Sequence, residues 1–466
     1  TITVDPPHSR FSSWYELFPR GVYDRKRDHG TFRDVVAHLE YVSSLGFDVL
    51  YLPPIHPIGL AYRKGRNNAL VAKKDDPGSP WAIGGPEGGH TAIHPALGTD
   101  EDFRTLVKEA GKRDIRIALD IAFQCSPDHP WVAEHPEWFV QRPDGSIQYA
   151  ENPPKKYHDI YPLNFESTKW EELWHALKGV FDHWIEEGVT IFRVDNPHTK
   201  SFPFWEWCIG EIKREHPEVV FLAEAFTRPR RMYGLAKMGF TQSYTYFTWR
   251  TKKAELEEFV TELTTTEAAE HYRPNFWPNT PDILHEYLQE GGRPAFMIRL
   301  ALAATLSSNY GIYGPAFELQ EATPREPGSE EYLDSEKYEI RHWNTSDPRS
   351  LAPYITQINT IRTENAALQQ TERVRFHATD NDQIIAYSKS SPDNSNIVLV
   401  VANLSYEHTH EGWVEFSPAA AGQADSRPFT VTELFSGAKH TWEGYWNYVK
   451  LDPFHNPVEI FRLEQE

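Results

Sequence analysis

Short apolar runs of β-type composition alternate with amphipathic helical stretches through the first ~360 residues of this chain. Such alternation calls for parallel strands joined by helical crossovers. The spacing predicts strands at Trp14–Phe18, Val49–Leu52, Ile115–Asp120, Thr190–Asp195, Val219–Glu224, Gln242–Tyr246, Asn275–Trp277 and Tyr310–Tyr313. Between them, Phe32–Leu45 sets Val35, Leu39 and Val42 on one face and stops at Gly46, and Trp170–Glu187 stops in the same way at Gly188. Eight strand–helix units predict an α/β fold, a (β/α)8 TIM barrel over residues 1–123 and 168–366. Two connecting loops are long. One, from about Pro53 to Leu97, is rich in Gly and Pro; the other carries PDGS and NPPKK turns and is expected to form an inserted subdomain over residues 124–167. From residue 367 the texture changes to short period-two runs, at Val374–Phe376, Ile384–Ser388, Ile397–Val401, Trp413–Phe416, Phe429–Leu434 and Val458–Phe461. These predict a C-terminal β-sandwich over residues 367–466.

Composition narrows the function. The 47 Lys and Arg against 67 Asp and Glu leave a net charge of −20, which disfavours nucleic acid and anionic membranes as partners. A phosphate group could be handled only in a local basic pocket. Cys125 and Cys208 provide neither a disulfide framework nor a metal-ligand spacing. No apolar run approaches the ~18 residues of a membrane span, and no leader-like segment opens the sequence, so a cytoplasmic location is expected. Aromatic residues reach 14%, supplying flat rings of the kind sugar clefts use, although core packing accounts for most of them.

In a barrel of this type the chemistry sits at the C-terminal ends of the strands. Asp120, Asp195 and Glu224 close predicted strands three, four and five, and Asp282 follows the seventh. Any one of them could be a salt-bridged or capping carboxylate, but four at equivalent ends are costly to gather without a purpose. Arg193 lies two residues before Asp195, so both side chains leave the strand on one face and the guanidinium favours an ionised Asp195. Glu224 ends the apolar run FLAEAF, where desolvation suits a carboxyl to acid–base work. One ionised and one protonated carboxyl group fit retaining glycosyl chemistry, which asks for a pair ~5–5.5 Å apart.

Five segments carry a resemblance: HTAIHPALGTDEDF (His90–Phe103), LDIAFQCSPDHP (Leu119–Pro130), FRVDNPHTK (Phe192–Lys200), FLAEAFTRP (Phe221–Pro229) and FWPNTPDIL (Phe276–Leu284). In this order they resemble glycoside hydrolase family 13, the α-amylase family. Gln124-Cys125 replaces the usual Asn-His pair. With NPPKKYHDIYPLNF (Asn152–Phe165) and SEKYEIRHW (Ser335–Trp343), the variant motifs are similar to those of the GlgE-type α-1,4-glucan:maltose-1-phosphate maltosyltransferases. The resemblance implies transfer of a maltosyl unit from α-maltose 1-phosphate to the non-reducing end of an α-1,4-glucan with retention of configuration, releasing phosphate. It implies Asp195 as nucleophile, Glu224 as proton donor and later base, and Asp282 as transition-state stabiliser. Lys64, Gln124, Asp159, Lys337 and Tyr338 fall on its maltose contacts, Asn196 falls next to the nucleophile, and Asn152, Lys155 and Tyr157 fall on its phosphate-facing hairpin. Arg193 joins these as a substrate-site residue. The resemblance implies no cofactor and no metal. Relatives of this type dimerise through a long N-terminal region that has no counterpart ahead of RFSSWYELFPR, so oligomeric state does not carry over.

Blander readings stand beside these. Lys155–Lys156 could be a solvated turn, Lys64 and Lys337 surface ion pairs, and Gln124 a capped loop residue. His94, His129 and His198 are read as hydrogen-bonded structure. Two other functions compete: an α-glucan hydrolase or isomerase of the same fold, and a non-catalytic glucan-binding protein. The insert and the Gln124-Cys125 pair argue against the first, and the joint presence of Asp195, Glu224 and Asp282 argues against the second.

Overall fold

The computed structural model of the protein describes residues 4–23, 27–152, 155–419 and 428–464, without the side chains of Asn152 and Lys155. Eight parallel strands close a barrel: β1 (Ser12–Glu16), β2 (Val49–Leu52), β3 (Arg116–Ile121), β4 (Ile191–Asp195), β5 (Val220–Glu224), β6 (Gln242–Tyr244), β7 (Pro274–Phe276) and β8 (Asn309–Tyr313). Each pairs with its neighbours in the chain, and β8 closes on β1 from Ser12↔Asn309 to Glu16↔Tyr313. Side chains alternate between two apolar layers. Trp14, Tyr51, Ala118, Ile191, Leu222, Tyr244 and Trp277 fill the barrel interior. Tyr15, Leu50, Leu119, Phe192, Val194 and Phe221 pack outward against the helices. Arg193 and Asp195 share the parity of Ile191, and Glu224 shares that of Leu222. The pleat alone therefore turns these polar groups inward, at the open end of the barrel.

The surrounding helices begin where the sequence supplies caps. Helix α1 (Phe32–Ser44) starts from Thr31, whose hydroxyl accepts from Asp34 N while Asp34 returns to the Thr31 backbone. Helix α2 (Asp100–Gly111) repeats the device with Thr99 and Asp102. Then come α3 (Trp170–Glu186), α4 (Phe202–Glu215), α5 (Pro229–Lys237), α6 (Lys253–Thr265), α7 (Glu286–Leu306) and α8 (Ala352–Glu364). Helix α7 is broken at Gly292, which takes φ +51°, a conformation that suits glycine, and Pro294 then sits in the first turn of the second segment. From Pro294 to Leu306 that segment is buried throughout. None of the described helices is long and apolar enough to cross a membrane.

The C-terminal sheet runs in the order β9 (Val374–Phe376), β10 (Ile384–Ser390), β11 (Ile397–Asn403), β16 (Val458–Leu463), β13 (Phe429–Glu433) and β14 (Lys439–Trp442). A second layer is the two-stranded ribbon of β12 (His410–Glu415) and β15 (Trp446–Leu451). Ile384, Ala386, Leu399 and Val401 point towards this ribbon and pack on Val414, Val449 and Leu451. Their alternates, Ile385, Tyr387, Val398 and Val400, belong instead to the core of the barrel helices. The predicted strands β1 to β13 and β16 are all present with ends shifted by up to three residues, whereas β14 and β15 were not foreseen.

Within residues 124–167 two short ladders occur, Gln124–Cys125 against Tyr161–Pro162 and Ala150–Asn152 against Lys155–Tyr157.

Candidate active site

The strand ends converge on Arg193. Its guanidinium donates to Asp120 Oδ2 at 2.8 Å and to Asp195 Oδ1 at 2.9 Å, and lies 3.3 Å from Glu224 Oε1. Tyr51 Oη donates to the same Asp120 oxygen at 2.5 Å, and the faces of Tyr51 and Tyr244 flank the guanidinium. Asp195 and Glu224 are direct register partners on β4 and β5. Both carboxyl groups therefore lie against one guanidinium. Asn196 takes the left-handed conformation immediately after Asp195, with φ +43°, which asparagine tolerates better than most residues. That turn aims its backbone N–H at Glu224 Oε2 (3.2 Å) and its amide at Asp195 Oδ2 (3.4 Å).

Burial pushes the Glu224 carboxyl up to about 8, Arg193 opposes the rise, and the charges of Asp195 and Asp282 add to it. Burial likewise raises Asp120 to about 7, against the pull of Arg193. A proton held on Glu224 in the native state but released in the unfolded chain makes stability fall as pH rises from the ordinary carboxyl value of 4.5 through about 8. The uncharged Glu224→Gln variant should therefore raise the melting temperature more at pH 8 than at pH 5, as measured by calorimetry. Equal shifts at both pH values would contradict a proton-binding Glu224.

These strand ends open into a cleft of about 960 Å³. It gathers Asp195, Asn196, Glu224 and Asp282 with Lys64, Gln124, Tyr157, Asp159, Lys337 and Tyr338, ten of the predicted site residues. Arg193 lies beneath its floor. Asn152 and Lys155 belong to the adjoining hairpin, but their side chains lie outside the described residues. Lys64 is buried and donates to the Lys156 carbonyl oxygen at 3.5 Å, and Gln124 donates to the Trp81 carbonyl oxygen at 3.2 Å. Lys337 is ion-paired with Asp282 inside the cleft, its ammonium 4.9 Å from the Trp81 ring. Burial raises the Asp159 carboxyl, against the pull of Lys64 and Lys337.

Sequence reading missed part of this wall. Ser79 and Trp81 come from the Gly- and Pro-rich loop after β2, where no periodicity marks a position as inward. Trp249 lies in a 3-10 turn after β6. Lys200 was within reach, since it closes the FRVDNPHTK segment. It lines the cleft, and burial lowers its pKa while Asp195 and Glu224 oppose that.

His90, Cys125 and His129 form the one group among the described residues with ligand atoms close enough to hold a metal ion. The hydrogen bonds of the two histidines give those rings another role. His129 Nδ1 accepts from Trp131 N at 3.0 Å, so its proton sits on Nε2 and points to His90 Nδ1, 3.0 Å away. His90 Nε2 is then the donor to the Ala122 carbonyl oxygen at 2.9 Å. All four ring nitrogens are used, and burial holds both rings neutral, His90 at about 4 and His129 at about 2. His94 also serves locally, accepting from Ala96 N at 3.2 Å, whereas His198 lines the cleft.

Residues 16–176 match the family model for the α-amylase catalytic domain, and residues 376–463 match that for the GLGE C-terminal domain. The fold is similar to the crystal structure of a maltogenic α-amylase from Thermotoga neapolitana, with a TM-score of 0.75 at 17% identity over 99% of this chain and 100% of that one. Fold and catalytic-domain match thus define an α-amylase-type barrel fold. At the sequence level the chain is 57% identical over 99% of its length, and 70% of the relative's, to an α-1,4-glucan:maltose-1-phosphate maltosyltransferase of Chlorobaculum tepidum. It is 54% identical over its whole length, and 70% of the relative's, to the enzyme of that name from Methylacidiphilum infernorum. The chain belongs to the α-1,4-glucan:maltose-1-phosphate maltosyltransferase family.

Proposed function

We propose that this enzyme moves a maltosyl unit from α-maltose 1-phosphate to the non-reducing end of an α-1,4-glucan through a β-maltosyl ester on Asp195. The observation that carries this reading is the register pair of Asp195 and Glu224 gathered on the Arg193 guanidinium at the open end of the barrel, with Glu224 raised to about 8 by burial. In the first step an Asp195 oxygen attacks the sugar C1 as the C1–O bond to phosphate breaks, and Glu224 supplies a proton to the departing oxygen. In the second, the acceptor 4-hydroxyl attacks C1, its proton passes to the Glu224 carboxylate, and the ester bond to Asp195 breaks. Asp282 steadies sugar hydroxyls as charge develops at C1. Lys64, Gln124, Asp159, Lys337 and Tyr338 hold the maltosyl unit, with Asn196 beside the nucleophile.

Asn152, Lys155 and Tyr157 would receive the phosphate, giving a dianion its cationic and hydroxyl donors in a chain of net charge −20. Phosphate release from maltose 1-phosphate that depends on a maltooligosaccharide acceptor tests the reaction. Release without acceptor would support a hydrolase, and no release would reject both. For the hairpin, Lys155→Ala should lower kcat/KM for maltose 1-phosphate by roughly 10- to 150-fold, the loss of one charge-assisted contact. Use of maltosyl fluoride should be far less affected. Equal losses with the two donors would make Lys155 structural.

A further inference from the structure

Two stretches of irregular backbone meet in the cleft. The loop after β2 brings Ser79 and Trp81, and the Ser335–Trp343 segment brings Lys337 and Tyr338. They approach each other where the Lys337 ammonium lies 4.9 Å from the Trp81 ring. None of these four residues stands on a barrel strand, so tertiary contacts must fix their spacing. Behind them lies Arg20, the last residue of RFSSWYELFPR, in the 3-10 turn Pro19–Gly21 that follows β1. Its side chain is buried. Nη1 donates to the Gly78 carbonyl oxygen at 3.1 Å, and Nη2 donates to the Glu336 carbonyl oxygen. Gly78 immediately precedes Ser79, and Glu336 immediately precedes Lys337. One planar fork thus joins the two stretches, each at the residue next to a cleft-lining side chain.

The surroundings serve the same junction. Phe18, two residues before Arg20, sets its ring edge-on to Trp81 and to Tyr313, with centroids 6.0 Å apart in both pairs. Tyr313 Oη donates to the buried Glu336 carboxyl group. Burial lowers the Arg20 guanidinium to about 10, with Glu336 and Tyr313 opposing the fall, so it stays charged at neutral pH and its bonds are charge-assisted. Arg63, by contrast, uses its guanidinium within the β2 loop, on the carbonyl oxygens of Gly59, Asp76 and Ile58. At the outer rim Asn67 and Asp334 join the two stretches again through reciprocal bonds of 2.9 and 2.7 Å, and Arg66 lies 3.8 Å from Glu339. Water competes for those exposed groups, as it does not for the buried bonds of Arg20.

We propose that Arg20 is a positioning residue for the donor: it sets the distance between Trp81 and the Lys337–Tyr338 pair, and with it the fit of the maltosyl unit. It touches no substrate itself. This rests on the reading of Lys337 and Tyr338 as maltosyl contacts. Arg193, Asp195 and Glu224 stand on β4 and β5, away from the clasp. Its loss should therefore weaken donor binding more than the chemical step.

The test compares the wild type with Arg20→Met, Arg20→Lys and a control, Arg362→Lys. Arg362 is also buried and also donates to chain oxygens, those of Ser12, Ser13 and Ser308, but at the opposite end of the barrel. Steady-state kinetics are measured with maltose 1-phosphate and maltohexaose, together with melting temperature and hydrogen exchange by mass spectrometry. Arg20→Met should raise the maltose 1-phosphate KM by roughly tenfold, with kcat changed by less than about threefold and the maltohexaose KM unchanged. Exchange should quicken over residues 76–82 and 334–340 but not over β4 and β5. An ammonium cannot span both carbonyl oxygens as the fork does, so Arg20→Lys should raise the donor KM by about threefold, and it carries the test if Arg20→Met does not fold. Arg362→Lys should lower the melting temperature and leave both KM values alone. A wild-type donor KM in Arg20→Lys would overturn the proposal, and so would an equal rise in Arg362→Lys, which would make the effect one of general stability. If the wild type released no phosphate from maltose 1-phosphate, the reading of the reaction would fail and exchange alone would decide the clasp. Protection lost in the two segments would support it, and loss spread evenly over the barrel would overturn it.

Discussion

Glu224→Ala supplied with maltosyl fluoride should accumulate a covalent maltosyl adduct on Asp195, visible by intact mass and mapped by peptide digestion. Fluoride and phosphate leave with little need of a proton, so attack by Asp195 survives the loss of the acid. The second step does not survive it, because an acceptor hydroxyl is a weak nucleophile and general-base help is worth roughly 10²- to 10⁴-fold. Asp195 has its own hydrogen bonds from Arg193 and from the Asn196 amide, and both donors remain in Glu224→Ala. Asp195→Ala should form no adduct. Turnover by Glu224→Ala at near wild-type rate, or an adduct on Asp282 or Asp120, would falsify the assignment of roles while leaving family membership untouched.

Arg193→Leu should cost stability and activity together. The guanidinium is buried and bonds three carboxyl groups, Asp120, Asp195 and Glu224. Removing one partner of a buried ion network typically costs about 3–5 kcal/mol, and the orphaned carboxyl groups would take up protons rather than stay charged. A protonated Asp195 cannot attack C1. Activity at neutral pH should therefore collapse and return in part as pH rises, since alkali restores the carboxylate. A variant that is merely unstable would lose activity at every pH alike. Arg193→Lys would keep one charge but lose the planar fork that reaches several carboxyl groups at once, so it should rescue only part of the loss.

Much of the barrel was legible because its strands carry a strong period-two pattern between clear helix stops. Their ends were less so, since pairing rather than composition decides where a strand stops. Strand β6 ends at Tyr244, two residues before the expected end, because Thr245 caps a 3-10 turn instead. Strands β14 and β15 were missed for a different reason. In β15 the alternation exists but is inverted, with Trp446 and Tyr448 outward and Asn447, Val449 and Leu451 inward. A reading that assumes large rings face the core assigns such a run to no element. In the cleft, acidic residues at strand ends were readable from parity alone, whereas Trp81 and Trp249 sit where irregular backbone decides direction. Metal spacing could not be judged from sequence either, because His90, Cys125 and His129 meet only through the fold.

The C-terminal sheet has consequences beyond its own strands. One of its faces completes the core over the barrel helices, and the other completes the core under the ribbon. Such a sheet is a shared wall between two rooms. Removing it would strip apolar cover from the buried stretch of α7, so the enzyme could not shed this part by truncation in the way an appended module is shed. Inheritance should follow the same logic: changes at Ile385, Tyr387 or Val400 need answering changes on the barrel side. The two regions are therefore expected to have travelled through evolution as a joint possession, with novelty confined to the outward surface of the ribbon.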